Sequence, residues 1–490
     1  MELDDAAANR GARGRVVMLV DNSVEGDSRV QKTARSAGEA GWDVTLLGCS
    51  PVDAASPADA AQSWRLGSAE VRLLPMAGPR TGAAAAGQSS GTTGLRERLL
   101  ARGGLPLRAA RLARRPVEHA QVWFWRAVKG DRAWRWLEPG LWNYERTFGP
   151  VIDELTPDLI HAHDFRMLGV GARAALRARA AGRPVKLVWD AHEFLPGAKP
   201  RRNNARWLPA HRAYEREYAP HADAVVTVSD ALADLLQREH HLTERPAVLL
   251  NAPAVARVPH ADAEPVPDLR QLCGLDRETP LLVYGGSAAV QRGLGTVVEA
   301  LPRLDGVHLA LVVNDPSARY VRQLITTAAR LGVADRVHAL PYVPHRQVVT
   351  FLGAADVGLI PIHHWPNHEI ALITKFFEYS HARLPIVVSD VKTMAETVRA
   401  TGQGEVFRAQ DVADFVRAVR AVLADPRRYR AAYDKPGCLL PAWTWEAQAE
   451  LLDSIYRGLL PEGSPTPADP GHAPHRGAAG DQPIMEARAQ

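Results

Sequence analysis

Short apolar runs alternate with amphipathic stretches along most of this chain. Runs such as Arg15–Asp21 and Val307–Val313 hold consecutive aliphatic residues, which is typical of strands buried on both faces of a parallel sheet. A helical pattern follows the first run, from Arg29 to Ala40. Repetition of this strand–helix order predicts an α/β architecture.

The pattern occurs twice, which predicts two Rossmann-like domains facing a central cleft. The predicted ranges are a disordered start at 1–14, an N-terminal domain at 15–253 with a basic, Trp-rich insert at 78–150, a linker at 254–278, a C-terminal domain at 279–442, a helix at 443–460 and a disordered tail at 461–490.

Composition fits a globular chain of this size. The 490 residues are 46% hydrophobic with a net charge of +4, a weak balance that does not by itself indicate nucleic acid. The start of the chain has no apolar signal region, and no apolar run has the roughly 18 residues of a membrane span. Three cysteines without metal-ligand spacing fit a reducing compartment. We therefore expect a cytoplasmic protein that can contact the membrane from inside.

The stretch His368–Asp390 gives the strongest local signal. A helix is predicted over Ile370–His381, followed by a buried strand at Ile386–Val388. The helix would begin at the carboxyl edge of a sheet, where α/β proteins bind ligands and helix N–H groups bind anions. There, Lys375 could meet phosphate and Glu378 could accept hydrogen bonds from sugar hydroxyls.

Two polar clusters follow two successive predicted strands. One is His161–Asp164 and the other is Asp190–Phe194, and each holds histidine and a carboxylate. Neither has compact zinc spacing. Hydrogen bonding to a polyol substrate is the preferred interpretation, and the alternatives are a metal site at His163 or His192 and a structural role in buried turns.

The loop after the first strand, Asn22–Ser28, lacks the GxGxxG dinucleotide pattern. Gly26 would allow a ligand to approach the backbone, and Asp27 or Arg29 could contact it. The alternative is that Asp27 caps the following helix and Arg29 is solvated.

The segment Leu95–Arg146 combines many arginines with leucine and tryptophan and has few acidic residues. Such a composition is typical of helices on an anionic membrane surface. It is also compatible with aromatic packing on the domain body, or with nucleic-acid binding.

Several motifs together resemble one enzyme family. They are Asp27-Ser28-Arg29-Val30, HAHD at 161–164, WDAHEF at 189–194, VVTVSD at 225–230, NAP at 251–253, the glycine-rich loop from Gly285 to Leu294, and TKFFEYSHARLPIVVSD at 374–390. In their order and spacing the sequence resembles retaining glycosyltransferases of family 4 (glycosyl transferases group 1), which have the GT-B fold.

The resemblance implies a hexosyltransferase that uses a nucleotide-diphosphate sugar. It places the acceptor on the N-terminal domain and the donor on the C-terminal domain. Catalytic roles fall on Arg292, Lys375 and His163. The resemblance and the cluster positions together give two further sets: Gly285, Gly286, Glu378 and Glu369 for the donor, and Gly26, Asp27, Asp164, His192 and Glu193 for the acceptor or N-domain site.

The sequence departs from the family pattern at Ile370, where the first glutamate of the family's E-x7-E motif is expected. Glu369, His368 or main-chain N–H groups could hold the sugar instead. No cofactor and no metal are expected besides the nucleotide sugar. Expected partners are a glycan, polysaccharide or lipid-linked acceptor and the inner-membrane surface through 95–146, without nucleic acid. The alternatives are a catalytically impaired nucleotide-sugar-binding protein at the membrane, a sugar-nucleotide epimerase or hydrolase, and a nucleic-acid binder.

Overall fold

The computed structural model describes residues 13–50, 62–76, 105–199, 204–255 and 265–460, and the side chains of these ranges except 105–114. The predicted disorder of 1–12 and 461–490 lies outside these ranges, and so does 77–94, whose Gly, Ala, Ser and Thr content predicts a flexible segment.

The first sheet has eight strands in the order β3-β4-β2-β1-β5-β6-β7-β8, and all neighbours are parallel except β3 and β4. The strands are β1 Arg15–Leu19, β2 Asp43–Cys49, β3 Ser63–Leu66, β4 Ala69–Leu74, β5 Leu159–His163, β6 Lys186–Ala191, β7 Ala224–Thr227 and β8 Ala247–Val248. In β1, Val17 and Leu19 enter the core on one face while Val16 and Met18 enter the core on the other. Coverage on both faces explains why this strand is apolar from Val16 to Leu19.

Seven α-helices within the described ranges accompany this sheet. They are α1 Ser28–Glu39, α2 Leu105–Lys129, α3 Trp134–Leu137, α4 Leu141–Leu155, α5 Asp164–Ala180, α6 Trp207–Tyr218 and α7 Asp230–His240. Side-chain caps begin two of them: Asp27 accepts a hydrogen bond from the amide of Val30, and Ser229 accepts one from that of Leu232. Such caps satisfy N–H groups that have no partner inside the helix.

The second sheet has six parallel strands in the order β11-β10-β9-β12-β13-β14. They are β9 Leu281–Gly285, β10 His308–Val313, β11 Val337–Pro341, β12 Val357–Ile360, β13 Ile386–Ser389 and β14 Gly404–Phe407. Its helices are α8 Leu269–Cys273, α9 Leu294–Ala300, α10 Arg319–Arg330, α11 Val348–Leu352, α12 Pro366–Glu369, α13 Thr374–His381, α14 Lys392–Thr401, α15 Val412–Ala424 and α16 Pro426–Arg430. These two largely parallel sheets, each covered by side chains on both faces, confirm the predicted pair of Rossmann-like domains.

The last helix, α17 Trp445–Leu459, returns to the first domain. Leu452 and Tyr456 are fully buried in the core that also contains Val16 and Met18 of β1. The second domain, in turn, begins before the predicted position, because Leu269 of α8 lies in its core inside the range predicted as a linker. The N-terminal domain is therefore built from two separate parts of the chain.

The insert is anchored by its aromatic residues. Trp134, Leu141 and Phe148 are buried in the core of the first domain. The guanidinium of Arg173 lies 5.0–5.9 Å from four ring centroids, those of Trp134, Trp142, Tyr214 and Tyr218. Cation–π contacts of this kind stabilise the packing of α4 and α6 on α5. The packing interpretation therefore applies to residues 134–148 of the insert.

Two local interpretations were wrong. The segment Ile370–Ile373 is not helical, and α13 begins at Thr374. Arg29, taken as solvated in one interpretation, is buried.

Candidate functional site

The two polar clusters predicted from the sequence meet at one edge of the first sheet. Strands β5 and β6 are parallel neighbours, with His163 paired in register with Asp190. Since both strands end at this edge, the residues that follow them also lie together. This edge collects His163, Asp164, His192 and Glu193.

A buried ion pair holds the centre of this edge. Arg29 donates to both oxygens of Asp190, from Nε at 2.9 Å and from Nη2 at 2.8 Å, and Nη1 donates to the carbonyl of Leu249 at 2.8 Å. The side chains of Arg29 and Asp190 are 4% and 2% exposed. Desolvation opposes ionisation of Asp190, but Arg29 and His192 outweigh it and hold its pKa well below the ordinary value. The carboxylate is therefore charged.

Two stacked histidines lie on the same carboxylate. The ring centroids of His161 and His163 are 4.4 Å apart, and His163 Nδ1 is 3.3 Å from Asp190 Oδ2. His161 Nδ1 lies 2.5 Å from the hydroxyl of Tyr456 on α17, and burial lowers the pKa of His161 to about 4. His161 is neutral and structural, whereas the buried Nε2 of His163 has no hydrogen-bond partner among the described residues.

His192 is positively charged at neutral pH. Its Nε2 lies 3.2 Å from Asp190 Oδ2, and its Nδ1 lies 3.4 Å from Asp164 Oδ1. Desolvation alone would lower its pKa, but the two carboxylates raise it to about 10. Asp164 has a φ of 60°, a left-handed conformation that costs energy for a residue with a side chain and is common at functional sites.

The loop between β1 and α1 borders this edge. Asp27 caps α1 and also accepts a hydrogen bond from the side-chain amide of Asn22 at 2.9 Å. Its carboxylate contacts are therefore those expected of a helix cap. Gly26 has a φ of 77°, and a Cβ placed on it would meet no atom within 4 Å, which leaves its backbone accessible. Glu193 follows β6 at the same edge of the sheet. Partial desolvation and the Asp164 carboxylate raise its pKa, against the effects of His192, Arg166 and Arg292.

His161, His163 and Asp190 also bring three potential metal ligands within 4.8 Å of one another. Both oxygens of Asp190, however, already accept hydrogen bonds from the guanidinium of Arg29. A divalent cation would have to displace or approach that buried positive charge. We therefore assign no metal to this cluster.

In the second domain, Lys375 and Glu378 lie side by side on α13. Lys375 Nζ is 2.8 Å from Glu378 Oε2, contacts the hydroxyl of Tyr342, and lies 4.4 Å from the centroid of the Tyr342 ring. Burial would lower the pKa of Lys375, but Glu378 and Tyr342 raise it. Its ammonium is therefore charged and points along the carboxyl edge of the second sheet.

The backbone at Gly285 and Gly286 passes directly beside this lysine. A Cβ at Gly286, where φ is 132°, would lie 3.4 Å from Cε of Lys375. The amide of Gly285 donates to the hydroxyl of Tyr379 at 2.9 Å. Glycine at these two positions leaves no side chain between the backbone and the lysine, and both amides are already paired, since that of Gly286 donates to the carbonyl of Val312 at 2.9 Å.

Arg292 is half-buried at the end of a 3₁₀ turn in the same loop. At the next residue, Gly293, a Cβ would lie only 1.7 Å from the carbonyl oxygen of Pro361, so only glycine fits. The amide of His363 also donates to the carbonyl of Gln291 at 2.9 Å. Arg292 is thereby fixed near the end of β12, where its charge acts on Glu193 of the first domain and on His368.

The segment between β12 and α13 lies between the domains. Ile370 packs against the core of the first domain, and its carbonyl accepts a hydrogen bond from the hydroxyl of Ser229. Trp365 Nε1 donates to the carbonyl of Gly197 at 3.1 Å. Glu369 points the other way: its carboxylate lies 2.6 Å from His364 Nδ1 and accepts from the amide of Lys392 at 2.7 Å.

Sequence reasoning missed several residues that complete this arrangement. Arg29 as the partner of Asp190, Lys32 on α1, Tyr342 beside Lys375, and Tyr456 beside His161 all depend on contacts between distant parts of the chain. The position of Asp190 at the end of an apolar run was the one available signal.

Two family models match the chain. The model described as Glycosyltransferase Family 4 matches residues 85–252, and the model described as Glycosyl transferases group 1 matches residues 267–437. The chain belongs to the GT-B glycosyltransferases of family 4. This family 4 enzyme is therefore a transferase of sugars, and most of both domains falls within the matched ranges.

Among curated relatives, the glycogen synthase of Mycobacterium tuberculosis (strain CDC 1551) is 26% identical over 313 residues, which are 61% of this chain and 68% of that protein. The D-inositol 3-phosphate glycosyltransferase 1 of Catenulispora acidiphila is 26% identical over 337 residues, which are 63% and 74%. A D-inositol 3-phosphate glycosyltransferase of Xylanimonas cellulosilytica is 30% identical over 197 residues, which are 39% and 46%.

Solved structures share the fold of this glycosyltransferase. Sucrose-phosphate synthase from Thermosynechococcus elongatus superposes with a TM-score of 0.62 at 18% identity, covering 91% of this chain and 98% of that one. Anabaena HepE in complex with UDP and glucose gives 0.57 at 13% identity, covering 91% and 100%. At these identities the likeness concerns the fold alone.

Proposed function

We propose that this glycosyltransferase binds a nucleotide-diphosphate sugar on the second domain and transfers the sugar, with retention, to an acceptor on the first. The observation that carries the proposal is the charged Lys375, held by Glu378 and Tyr342 beside Gly285 and Gly286 at the end of β9. A fixed cation at the carboxyl edge of a parallel sheet fits a diphosphate. A nucleotide sugar is also the ligand of a structural neighbour, HepE in complex with UDP-glucose.

In the proposed reaction, negative charge develops on the diphosphate as it leaves the anomeric carbon. Arg292 and Lys375 stabilise that charge, since fixed cations in a cleft lower the barrier without reorganisation. Lysine acts as a point charge and arginine as a planar fork. Glu378 accepts hydrogen bonds from sugar hydroxyls of the nucleotide, and the two cations supply the charge stabilisation for which other enzymes use a metal ion.

The transferred sugar faces the first domain. His163 has a buried Nε2 without a partner among the described residues, and a hydroxyl of the sugar can satisfy it. Asp164, His192 and Glu193 stand at the same edge and offer charged groups to the hydroxyls of the acceptor. Gly26 and Asp27 border that space. We propose a glycan, polysaccharide or lipid-linked sugar as the acceptor, and no cofactor besides the donor.

Ile370 and Glu369 bear on how the donor sugar is held. Glu369 is already held by His364 and the Lys392 amide, and Ile370 packs against the first domain. We propose that main-chain N–H groups around Ile370 bind the sugar hydroxyls in place of a glutamate.

A donor screen tests the proposed site. Purified wild type, Glu378→Ala and Arg292→Ala are heated with a panel of nucleotide sugars and with UDP and GDP. We expect at least one compound to raise the melting temperature of the wild type, because binding to the native state stabilises it, and to lose this effect in both variants. Glu396→Ala and Arg399→Ala, which are exposed on α14, serve as controls.

A compound that stabilises wild type and both site variants equally would place the donor elsewhere. A nucleotide sugar could also stabilise the wild type while no glycan acceptor causes release of the nucleoside diphosphate. That result would favour a protein that binds nucleotide sugars over an active transferase.

We further propose that α2 rests on an anionic membrane surface. Trp123 is 74% exposed and Phe124 is 49% exposed, and Arg126, Lys129 and Arg132 are exposed around them. Exposed aromatic residues can enter the apolar acyl region of a membrane, while the neighbouring cations contact the anionic headgroups. A lipid-linked acceptor would then lie at the same surface. None of the described helices has the length and apolar character that would let it cross the bilayer.

We expect sedimentation with vesicles to detect this contact. Wild type should bind vesicles of phosphatidylcholine with about 30% phosphatidylserine and be released from them as salt rises, because screening weakens surface charges. Trp123→Ser combined with Phe124→Ser should reduce the bound fraction at least about tenfold. Leu439→Ser, at another exposed apolar residue, is the control. Equal binding of the double variant and the wild type would rule out α2 as the contact.

A further inference from the structure

The two crossings between the domains meet on helix α1. The chain leaves the first domain through Leu249–Pro253 and returns at Trp445. The amide of Trp445 donates to the carbonyl of Pro253 at 2.8 Å, and its Nε1 donates to the hydroxyl of Ser36 on α1 at 3.2 Å. Both crossings are therefore attached to one helix of the first domain.

Lys32 of α1 contacts both crossings with one ammonium group. Its Nζ donates to the carbonyl of Ala252 at 2.5 Å and to Oδ1 of Asn251 at 3.1 Å. The same Nζ lies 4.7 Å from the ring centroid of Trp445. One side chain thus holds the outgoing crossing by hydrogen bonds and the returning crossing by a cation–π contact.

Asn251 continues this connection into the second domain. While its Oδ1 accepts from Lys32, its Nδ2 donates to Oγ1 of Thr374 at 3.0 Å. Thr374 is the first residue of α13, the helix that carries Lys375 and Glu378. A short path of two hydrogen bonds therefore joins α1 to the first turn of the helix at the proposed donor site.

We propose that Lys32 is a positioning residue for the donor site: it fixes the interdomain crossing and, through Asn251 and Thr374, the first turn of α13. This inference rests on the proposed donor function of α13. Lys32 lies in the first domain, whereas the proposed donor site lies in the second. The affinity for a nucleoside diphosphate would therefore depend on a residue that does not contact the ligand.

Charge makes this position responsive to pH. Burial, and then the neighbouring Arg29, lower the pKa of Lys32 from 10.5 to about 7, while Glu378 of α13, Glu446 of α17 and Asp27 act in the opposite direction. Since the folded-state pKa lies below the unfolded value, the buried charge costs stability below about pH 7, and the cost disappears as pH rises towards 10.5. His345, on which the charge of Lys32 also acts, has its own pKa lowered mainly by burial.

Hydrogen exchange on the full chain without ligand tests the connection. In Lys32→Met we expect amides at 250–255 and 374–378 to exchange at least about tenfold faster, because local opening is no longer opposed at the crossing. Thr374→Val removes only the last hydrogen bond, and should speed exchange at 374–378 alone. Arg35→Met, on the exposed face of α1, should change neither region.

Binding of UDP and GDP gives a second readout. For whichever of them the wild type binds, we expect affinity to fall as pH rises from about 6 to about 8.5 and Lys32 loses its proton. In Lys32→Arg, which stays charged, the affinity should hold over this range. Lys32→Met should bind about tenfold more weakly at the acidic end of the range, with a melting temperature close to that of wild type.

Each outcome separates the two proposals. Unchanged exchange at 374–378 in Lys32→Met would overturn the positioning role, even if UDP binds normally. Faster exchange across the whole chain with a lower melting temperature would also overturn it, as a general loss of stability. Faster exchange at the two segments in Lys32→Met, together with a wild type that binds neither UDP, GDP nor any nucleotide sugar of the donor screen, would uphold the connection and reject the donor function.

Discussion

Replacing Lys375 with alanine should lower kcat/KM for sugar transfer by about two to three orders of magnitude. The ammonium lies beside Gly285 and Gly286 at the end of β9 and is fixed by Glu378 and Tyr342. Loss of one such fixed group at a developing negative charge typically costs a factor of about 10² to 10³. Release of the nucleoside diphosphate, measured with the donor found in the screen, gives the rate.

Lys375→Arg should recover little of this activity. The enclosed position between Tyr342 and Glu378 suits a compact ammonium, and a guanidinium is larger and planar. Lys392→Ala, an exposed lysine on α14, is the matched control and should keep wild-type rates. A Lys375→Ala enzyme within about threefold of wild type would mean that Lys375 does not stabilise the leaving group.

Replacing Asp190 with alanine should destabilise the N-terminal domain by about 3–5 kcal/mol. The change leaves the buried guanidinium of Arg29 and the imidazolium of His192 without the carboxylate between them, and an uncompensated buried charge costs about this much. Urea unfolding of the full chain, with hydrogen exchange in β5 and β6 reporting the N-terminal domain, measures the loss.

A double variant separates charge from packing. Arg29→Met with Asp190→Leu removes the pair together and should recover most of the stability, because matched apolar groups can replace a buried ion pair. Arg245→Ala breaks an exposed ion pair with Asp234, in which both side chains are about half exposed, and should cost less than about 1 kcal/mol. Similar losses in Asp190→Ala and Arg245→Ala would contradict the argument.

The features that could be predicted from the sequence are those set by residues close together along the chain. The continuous apolar runs at β1 and β10 identified buried strands, and the polar residues after β5 and β6 pointed to one edge of a sheet. The approximate location of Lys375 and Glu378 followed in the same way, from a helix placed between two strands. These features are local, and the doubly wound arrangement then brings their ends together.

Contacts across long separations could not be predicted in this way. Arg29 lies on α1 and its partner Asp190 lies in β6, and Lys32 meets a crossing and a helix from distant parts of the chain. The apolar residues from Ile370 to Ile373 suggested an extra helical turn. Ile370 packs against the core of the other domain. Its apolar character therefore reflects a contact between the domains and does not belong to the helical repeat of α13.

The return of α17 to the first domain has a consequence for synthesis on the ribosome. Leu452 and Tyr456 complete the core around β1, yet they are translated after the entire second domain. At about 5–20 residues per second, the N-terminal domain waits on the order of ten seconds or longer with part of its core uncovered. During translation the second domain can therefore reach its final fold before the first, and a nascent chain arrested before α17 would expose an apolar surface to chaperones.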